Sequence, residues 1–209
     1  MRRDEVVIDP VYATKRNFTG EPVPGYEAKE VWLDPDVVKK LDTLQEIVRG
    51  NLIENGFSTE MANNIHIIVK DGYRPHKATH AMADWAKRNN VSRAYVAANI
   101  SGHNKGKVLD ATLGYRMKDG TIREIWLGSR FDEFNRNSNH GSAGRKLDPR
   151  RDNPSSYQGL GYITANRYPI TKLRNILKAS MKAVGGKSYQ GEYWHYSFGG
   201  GKCYDHNIN

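Results

Sequence analysis

The chain has 209 residues, of which 32 are lysine or arginine and 23 are aspartate or glutamate, so its formal net charge is +9. Hydrophobic residues make up 38% of the chain, which is enough for one core, and the length suits a single domain. No apolar run approaches the ~18 residues of a membrane-spanning helix, so an integral membrane protein is not expected. The basic balance is typical either of a soluble protein with a basic surface or of a partner for an anion such as nucleic acid.

The positive charge lies in the second half of the chain. Residues 1–100 contain 14 basic and 14 acidic side chains, whereas residues 101–209 contain 18 basic and 9 acidic ones. Cys203 is the only cysteine, so no disulfide can form within the chain, as is usual in a reducing compartment. No apolar stretch follows the basic start, so the sequence predicts a cytoplasmic protein, or a periplasmic or secreted one if the chain is a processed form.

The first third of the chain predicts a loop-rich segment, a helix and a strand. Residues 1–33 carry closely spaced glycine and proline and are expected to pack as loops on the rest of the domain. Asp34 and Pro35 begin an amphipathic helix, with an N-cap followed by proline in the first turn, and Gly56 ends it. Ile65–Val69 is a short run dominated by β-branched residues, which indicates a buried strand.

The middle of the chain predicts a helix followed by strands. A helix is expected over about Pro75–Asn89 and a strand over about Arg93–Ala98. Val108–Tyr115 and Ile122–Trp126 flank the dipeptide Asp119-Gly120, a strong signal for a β-hairpin.

The last third predicts a long loop, a helix and a strand. Residues 128–163 are polar and rich in Asn, Arg, Gly and Ser, and a loop of this length is often functional. A second amphipathic helix ends at Gly185-Gly186, and Tyr193–Phe198 is a final strand. Helices mixed with hairpin-linked strands predict an α+β fold, a single domain over residues 1–209 with a mainly antiparallel central sheet flanked by helices.

Seven histidines are the first candidates for chemistry. His76 and His80 lie four residues apart on the predicted helix, a spacing that could ligate zinc. The zincin motif would place glutamate at position 77, where this chain has Lys77, so we interpret the pair as helix-surface residues. His66 is expected to be a hydrogen-bonded core or edge residue, and His206 a residue of the polar tail. His140 lies in the long loop and could hydrogen-bond a metal ligand.

Two segments have the composition of a catalytic metal site. His103 lies in a glycine-bearing turn, and Gly106 would let the chain fold back so that His103 lies beside Asp110. His195 supplies another imidazole, with Glu192 three residues before it. Two histidines and an aspartate leave a fourth position open on zinc, and the glutamate could move the proton of the attacking water.

The spacing of Glu192 and His195 raises a geometric question. Residues three apart in a regular strand face opposite sides of the sheet. Either Glu192 precedes the strand or a β-bulge re-aims its side chain.

These segments belong to a longer ordered set, and with it the sequence resembles the VanX-type D-alanyl-D-alanine dipeptidases, zinc peptidases related to the D,D-carboxypeptidases. The resemblance extends from about Val11 to Tyr196. The matching pieces are Tyr12-Ala13-Thr14, Asn17-Phe18-Thr19-Gly20, Gly25-Tyr26-Glu27, Asp71-Gly72-Tyr73-Arg74-Pro75, Ser101-x-His103 through Gly106 to Asp110, Gly128-Ser129-Arg130-Phe131-Asp132, Asn166-Arg167 and Glu192-x-Trp194-His195.

The resemblance implies one zinc ion per chain, bound on the sheet, and a role for each of the main polar residues. The zinc ligands would be His103, Asp110 and His195. Glu192 would be the general base and acid, and Arg74 would polarise the scissile carbonyl and stabilise the oxyanion, which suits a permanently charged fork of donors.

The resemblance also implies a substrate pocket for a small dipeptide. No nucleic-acid or membrane partner is expected, because the sequence has neither a nucleic-acid-binding motif nor a long apolar run. Asp132 corresponds to the aspartate that binds the free ammonium of the substrate, and Tyr12, Ser101 and Phe131 match positions that line the pocket. A buried carboxylate opposite an ammonium disfavours substrates with a blocked N-terminus.

Departures from the family pattern leave alternatives open. Tyr193 and Gly102 stand where the family usually has tryptophan and serine, residues 107–109 are Lys-Val-Leu rather than a run of small residues, and the loop at 137–161 is longer than expected. One alternative is a D,D-carboxypeptidase or endopeptidase that acts on longer peptidoglycan stem peptides. The other is a non-catalytic basic binding module, supported by charges such as Arg145, Lys146, Arg150 and Arg151.

Overall fold

A computed structural model describes residues 6–148, 150–152 and 170–208. Asn166-Arg167, and the part of the predicted 128–163 loop beyond residue 152, lie outside the described residues. The helices are α1 (Pro35–Leu41), α2 (Leu44–Glu54), α3 (Thr59–Asn64), α4 (His76–Arg88) and α5 (Ile170–Ala183). The strands are β1 (Val6–Ile8), β2 (Ile65–Asp71), β3 (Val108–Arg116), β4 (Ile122–Glu124), β5 (Lys187–Ser188) and β6 (His195–Ser197).

The strands form one sheet in the order β1-β2-β3-β6-β5, with β4 paired to the far end of β3. β1 runs parallel to β2, and the β2–β3, β3–β4, β3–β6 and β5–β6 pairs are antiparallel. The α+β class is confirmed, but the sheet is mixed, not mainly antiparallel as expected. The difference arises because β1 lies in the segment predicted as loop and enters the sheet beside β2.

The main core fills one face of the sheet. Alternate residues of β2 and β3 point toward it, including Ile67, Leu109, Ala111 and Leu113. Helices α1, α2 and α5 cover this face with the apolar stripes that the sequence predicted. Asp110 lies between two core residues in β3, so its side chain points to the opposite face.

A second apolar cluster lies over that opposite face. It joins the N-terminal segment to α4 and to the end of the chain, and its members include Tyr12, Tyr26, Tyr73, Met82 and Ile208. Asp110 is therefore positioned between the sheet and this second cluster, where a cleft forms. None of the helices in the described part of the chain is both long and apolar enough to cross a bilayer.

The single helix predicted from Pro35 to Gly56 is two helices. Asp34 caps α1 by accepting the backbone N–H of Asp36, and the chain turns at Asp42 and Thr43 before α2 begins. The apolar spacing continues through the break because Leu41 and Leu44 both face the core. The apolar periodicity of the sequence therefore could not locate the break between α1 and α2.

The prediction of a strand at Arg93–Ala98 is wrong, because this segment consists of turns and bends. The hydroxyl oxygen of Ser92 accepts the N–H of Ala94 at 3.2 Å, and its carbonyl accepts the N–H of Tyr95 at 3.0 Å. These local bonds form a turn and replace the ladder that a strand would need. The segment instead forms one edge of the cleft.

Candidate active site

His103 is placed by a short 3₁₀ helix, Gly102–Lys105. The hydroxyl of Ser101 caps this turn by accepting the N–H of His103 at 3.3 Å. Gly106 ends it in the left-handed conformation, with φ at +63°, so the chain folds back into β3 as its sequence predicted. His103 Nδ1 lies 2.7 Å from the carbonyl oxygen of Gly72. A carbonyl only accepts, so Nδ1 carries the proton and Nε2 keeps its lone pair toward the cleft.

Asp110 and His195 lie opposite each other in the paired strands β3 and β6. Asp110 Oδ2 is 3.3 Å from His103 Nε2, and Asp110 Oδ1 is 3.1 Å from His195 Nδ1. One donor atom from each of the three side chains lies within 4.8 Å of the others. Residues far apart in sequence thus converge on one point.

The three side chains fit a metal ion. Two imidazole nitrogens and a carboxylate oxygen are donors that zinc and related divalent metals accept. Asp110 Oδ1 is buried, and its approach to His195 Nδ1 is not a hydrogen bond, so it has no hydrogen-bond partner among the described residues. Leaving this oxygen unpaired is costly unless a cation binds it. Burial alone would raise the pKa of Asp110, but His103 and His195 hold it below its ordinary value, so the residue is a carboxylate ready to bind. His103, Asp110 and His195 could therefore hold a metal.

Glu192 lies in the turn before β6. Of the two arrangements that the sequence left open, the structure therefore has the one in which Glu192 precedes the strand, without a β-bulge. The backbone N–H of His195 bonds the carbonyl of Glu192 at 3.3 Å, and the Glu192 carboxylate lies 3.6 Å from His195 Nδ1. Burial, and then the charge of Asp110, raise the pKa of Glu192 to about 8. A carboxyl group with a raised pKa can exchange protons near neutral pH.

Arg74 is held by Asp71, a buried acid to which the sequence pattern assigned no role. Asp71, at the end of β2, accepts from Arg74 Nε at 3.0 Å and from Arg74 Nη2 at 2.7 Å. The same carboxylate accepts the hydroxyl of Tyr26 at 2.7 Å and lies 3.3 Å from His103 Nδ1. Asp71 was visible only as the first residue of Asp71-Gly72-Tyr73-Arg74-Pro75, without an assigned role.

Asp132 lies on another wall of the cleft and has a left-handed backbone, with φ at +58°. The hydroxyl of Tyr12 donates to its carboxylate at 2.8 Å, and Arg74 lies over the Tyr12 ring at 5.1 Å. Burial, and then the charge of Asp110, raise the pKa of Asp132 to about 8 despite the Tyr12 hydrogen bond. An acid in this state favours a cationic partner, which would restore its ionised form.

The cleft has a volume of about 240 Å³ and brings most of the predicted site residues together. Eight of the nine line it: Tyr12, Arg74, Ser101, His103, Asp110, Asp132, Glu192 and His195. Phe131 is the exception. Its ring packs against two residues that line the cleft, with centroid distances of 6.2 Å to Tyr12 and 5.2 Å to Trp194.

The other histidines stay apart from this cluster. His76 and His80 lie on α4 with ring centroids 6.4 Å apart, and His206 is exposed in the C-terminal tail. His66 is buried in β2, where its Nε2 lies 3.3 Å from Arg116 Nε, as expected for a hydrogen-bonded core histidine. His140 is buried, and within the described ranges neither ring nitrogen has a hydrogen-bond partner. Burial, with Lys178 and Arg174 nearby, lowers the pKa of His140 to about 4.

The cleft combines three potential metal ligands, a carboxyl group suited to proton transfer and a partly buried arginine, which is the composition of a metallopeptidase site. The family comparison agrees. The model of peptidase family M15, described as D-ala-D-ala dipeptidase, matches residues 3–209. The chain therefore belongs to this family of metallopeptidases.

Curated relatives from three bacteria support this membership. A D-alanyl-D-alanine dipeptidase of Enterococcus faecium is 28% identical over 205 residues, which cover 90% of this chain and 83% of the relative. One from Enterococcus faecalis gives the same identity and coverage. One from Streptomyces coelicolor is 30% identical over 206 residues, with 90% of this chain and 84% of the relative covered.

Proposed function

We propose that this chain is a single-domain, zinc-dependent dipeptidase that hydrolyses D-Ala-D-Ala. The observation that carries the proposal is the position of Glu192 beside the His103–Asp110–His195 group, in the cleft that Asp132 also lines. Family membership and the names of the relatives supply the substrate class. A small free dipeptide, not a nucleic acid, is the proposed partner, and Cys203, without a second cysteine, suits the cytoplasmic location that we retain in the proposal.

Zinc bound by His103, Asp110 and His195 would supply Lewis acidity to the attacking water and to the scissile carbonyl. The Gly72 carbonyl orients the His103 ring through Nδ1, and the strand pairing of Asp110 with His195 sets the spacing of the other two donors. A hydrogen bond therefore orients the His103 ring, and strand pairing fixes the backbone positions of Asp110 and His195.

Glu192 moves the proton in the proposed reaction. Its carboxylate takes a proton from the water that attacks the peptide carbon, and it gives that proton to the leaving amine when the C–N bond breaks. Its burial and its distance of 3.6 Å from His195 Nδ1 support this role. General acid–base catalysis of this kind contributes about 10²–10⁴-fold to a rate.

Arg74 stabilises the negative charge that develops on the carbonyl oxygen. Asp71 fixes one side of the guanidinium, and the Nη2 atom also lies 3.8 Å from Asp110, so the group is directed toward the candidate metal centre. A fixed donor needs no reorganisation when the oxyanion forms, which is why such groups are effective.

Asp132 binds the ammonium of the substrate in this proposal. Tyr12 orients its carboxylate by a hydrogen bond, Phe131 supports the Tyr12 ring, and Ser101 lines the same cleft. Asp132 is partly buried, and covering its carboxylate with a substrate that brings no cation would be costly, so substrates with an acylated amine should bind poorly. This argument favours the dipeptidase over the carboxypeptidase or endopeptidase alternative.

The basic binding module has less support. Arg145, one of its proposed contacts, donates to Glu133 and to Asp152 with N–O distances of 2.7 Å in both pairs, so acids already neutralise it. Its side chain also lies over the ring of Trp126. Lys146, Arg150 and Arg151 are interleaved with Asp148 and Asp152, and the sequence carries no recognised nucleic-acid-binding motif.

Hydrolysis by purified zinc-loaded protein tests the proposal. We expect cleavage of D-Ala-D-Ala, loss of activity with a chelator and poor cleavage of N-acetyl-D-Ala-D-Ala. Glu192→Gln should lower kcat by about 10²–10⁴-fold while zinc content stays near one per chain. His76→Gln on α4 is the matched surface control. A preference for the acetylated or longer peptide would favour the carboxypeptidase or endopeptidase, and no cleavage of any of them would reject both.

A further inference from the structure

A second arginine, Arg93, lines the cleft, and its charge is not paired with an acid among the described residues. Arg74 is committed to Asp71, whereas the exposed Arg93 forms no side-chain ion pair or hydrogen bond within the described part of the chain. Both arginines line the cleft, and lysine does not occur among its described lining residues. Arg93 is therefore a cation available to a ligand there.

The backbone beside Arg93 is anchored next to the candidate metal centre. The hydroxyl of Tyr189 donates to the carbonyl of Ala94 at 3.2 Å, and the Tyr189 ring lies 5.7 Å from that of His195. Asp132, in contrast, is anchored by Tyr12 from the N-terminal segment. The anionic and the cationic group of the cleft thus come from different walls.

A free dipeptide carries an ammonium at one end and a carboxylate at the other. If Asp132 binds the ammonium, the carboxylate needs a partner elsewhere in the cleft, because enclosing it without one would be unfavourable. A guanidinium offers a planar fork of donors that matches a carboxylate. Ser101 lines the cleft as well, and its hydroxyl oxygen accepts from His103, so its proton remains free to donate.

We propose that Arg93 binds the C-terminal carboxylate of the substrate and makes the enzyme selective for a free C-terminus. This inference rests on the proposed dipeptidase function and deepens it. Recognition at both termini would define a substrate of two residues: Asp132 requires the free amine and Arg93 the free acid. An endopeptidase, whose substrates continue beyond the scissile bond, would not gain from such a cation.

The test compares D-Ala-D-Ala with its C-terminal amide, D-Ala-D-Ala-NH₂, in the zinc-loaded full chain. The wild-type protein should favour the acid over the amide at least tenfold in kcat/KM. Arg93→Gln should raise KM for the acid about tenfold with little change in kcat, and should leave the amide nearly unaffected. Arg93→Lys should retain part of the preference because it keeps the charge without the fork. Arg88→Gln, an exposed arginine at the end of α4, is the matched control.

The outcomes separate this inference from the function on which it rests. If the wild type cleaves neither peptide, the dipeptidase proposal fails and the inference fails with it. If the wild type cleaves both equally, or if Arg93→Gln keeps the preference for the acid, the inference alone is overturned. An equal loss on both substrates in Arg93→Gln would indicate a structural role and would likewise overturn it.

Discussion

The carboxylate of Asp71 receives two hydrogen bonds from the guanidinium of Arg74, at 3.0 Å from Nε and 2.7 Å from Nη2. The same side chain is buried and lies 3.3 Å from Nδ1 of His103. One acid at the end of β2 therefore supports both the proposed oxyanion donor and a proposed metal ligand. Asp71 would act through these two residues, as a positioning residue and not as a catalytic one.

Replacing this acid should affect the metal site and catalysis together. Asp71→Asn keeps the shape of the side chain but removes the charge that holds Arg74. We expect zinc affinity and kcat each to fall by about 10–100-fold, the range for groups that orient metal ligands. Zinc titration and steady-state kinetics measure the two effects, and Asp84→Asn on the exposed side of α4 is the control. Unchanged zinc affinity and kcat would contradict the role.

Metal removal should lower thermal stability if the three-residue cluster binds zinc. A ligand that binds only the folded state at 100 times its Kd adds about 2.7 kcal/mol to the free energy of unfolding, which is about 5–10 °C in Tm for a chain of this size. Calorimetry of the apo protein with and without added zinc measures the shift. His103→Ala should abolish the shift. His80→Ala should preserve it, and the opposite pattern would place the metal on α4.

Local sequence signals explain the elements that were predicted correctly. The β-branched run predicts β2 because a strand enclosed on both faces favours apolar residues. All seven residues of β2 are buried, and its polar members His66, Lys70 and Asp71 are hydrogen-bonded. The strand β1 was missed because three residues with an exposed Ile8 carry no periodic signal, and only pairing with β2 makes them a strand. The Arg93–Ala98 prediction failed because local hydrogen bonds at Ser92 outcompeted a modest strand preference.

The candidate site was only partly predictable from local residue spacing. Spacing suggested that His103 approaches Asp110, but the meeting of Asp110 with His195 depends on the pairing of β3 with β6, which residue spacing does not encode. Resemblance to a family supplied that step. Arg93 has no motif of its own, and only the fold brings it to the cleft.

The fully buried Arg174 of α5 should be a large determinant of stability. Its guanidinium lies over the Tyr193 ring at 4.2 Å and donates to four backbone carbonyls of the segment before and after Asp132, those of Leu127, Asn137, Asn139 and Ser142. Arg174→Met would remove these donors, although the Asn139 carbonyl would keep the N–H of Ser142 at 3.1 Å, and we expect a loss of about 3–5 kcal/mol in the free energy of unfolding.

Chemical denaturation of matched variants checks this expectation. Arg174→Lys should recover little stability, because an ammonium offers three donors without the planar fork. Lys182→Met, an exposed substitution on the same helix, should change stability by about 0.5 kcal/mol or less. A loss below about 1 kcal/mol in Arg174→Met would show that water replaces the arginine adequately.

Glu133 should make the protein sensitive to acid. Burial alone would raise its pKa, but hydrogen bonds from the Arg145 side chain and the Arg130 amide lower the pKa to about 2 from an ordinary 4.5. The ionised form is therefore favoured in the folded state, so its stabilisation is fully present above pH 4.5 and is lost as the pH falls toward 2.

Substitution of Glu133 isolates this contribution. Each pKa unit corresponds to about 1.4 kcal/mol, and discounting for the solvent that reaches Arg145 leaves an expected loss of about 2 kcal/mol across this window. Glu133→Gln should be less stable at pH 6 and should lose less additional stability on acidification. Glu21→Gln, which removes an exposed ion pair with Lys15, should follow the wild-type curve. Denaturation curves at several pH values measure this, and parallel acid losses in Glu133→Gln and wild type would show that other carboxylates govern the acid response.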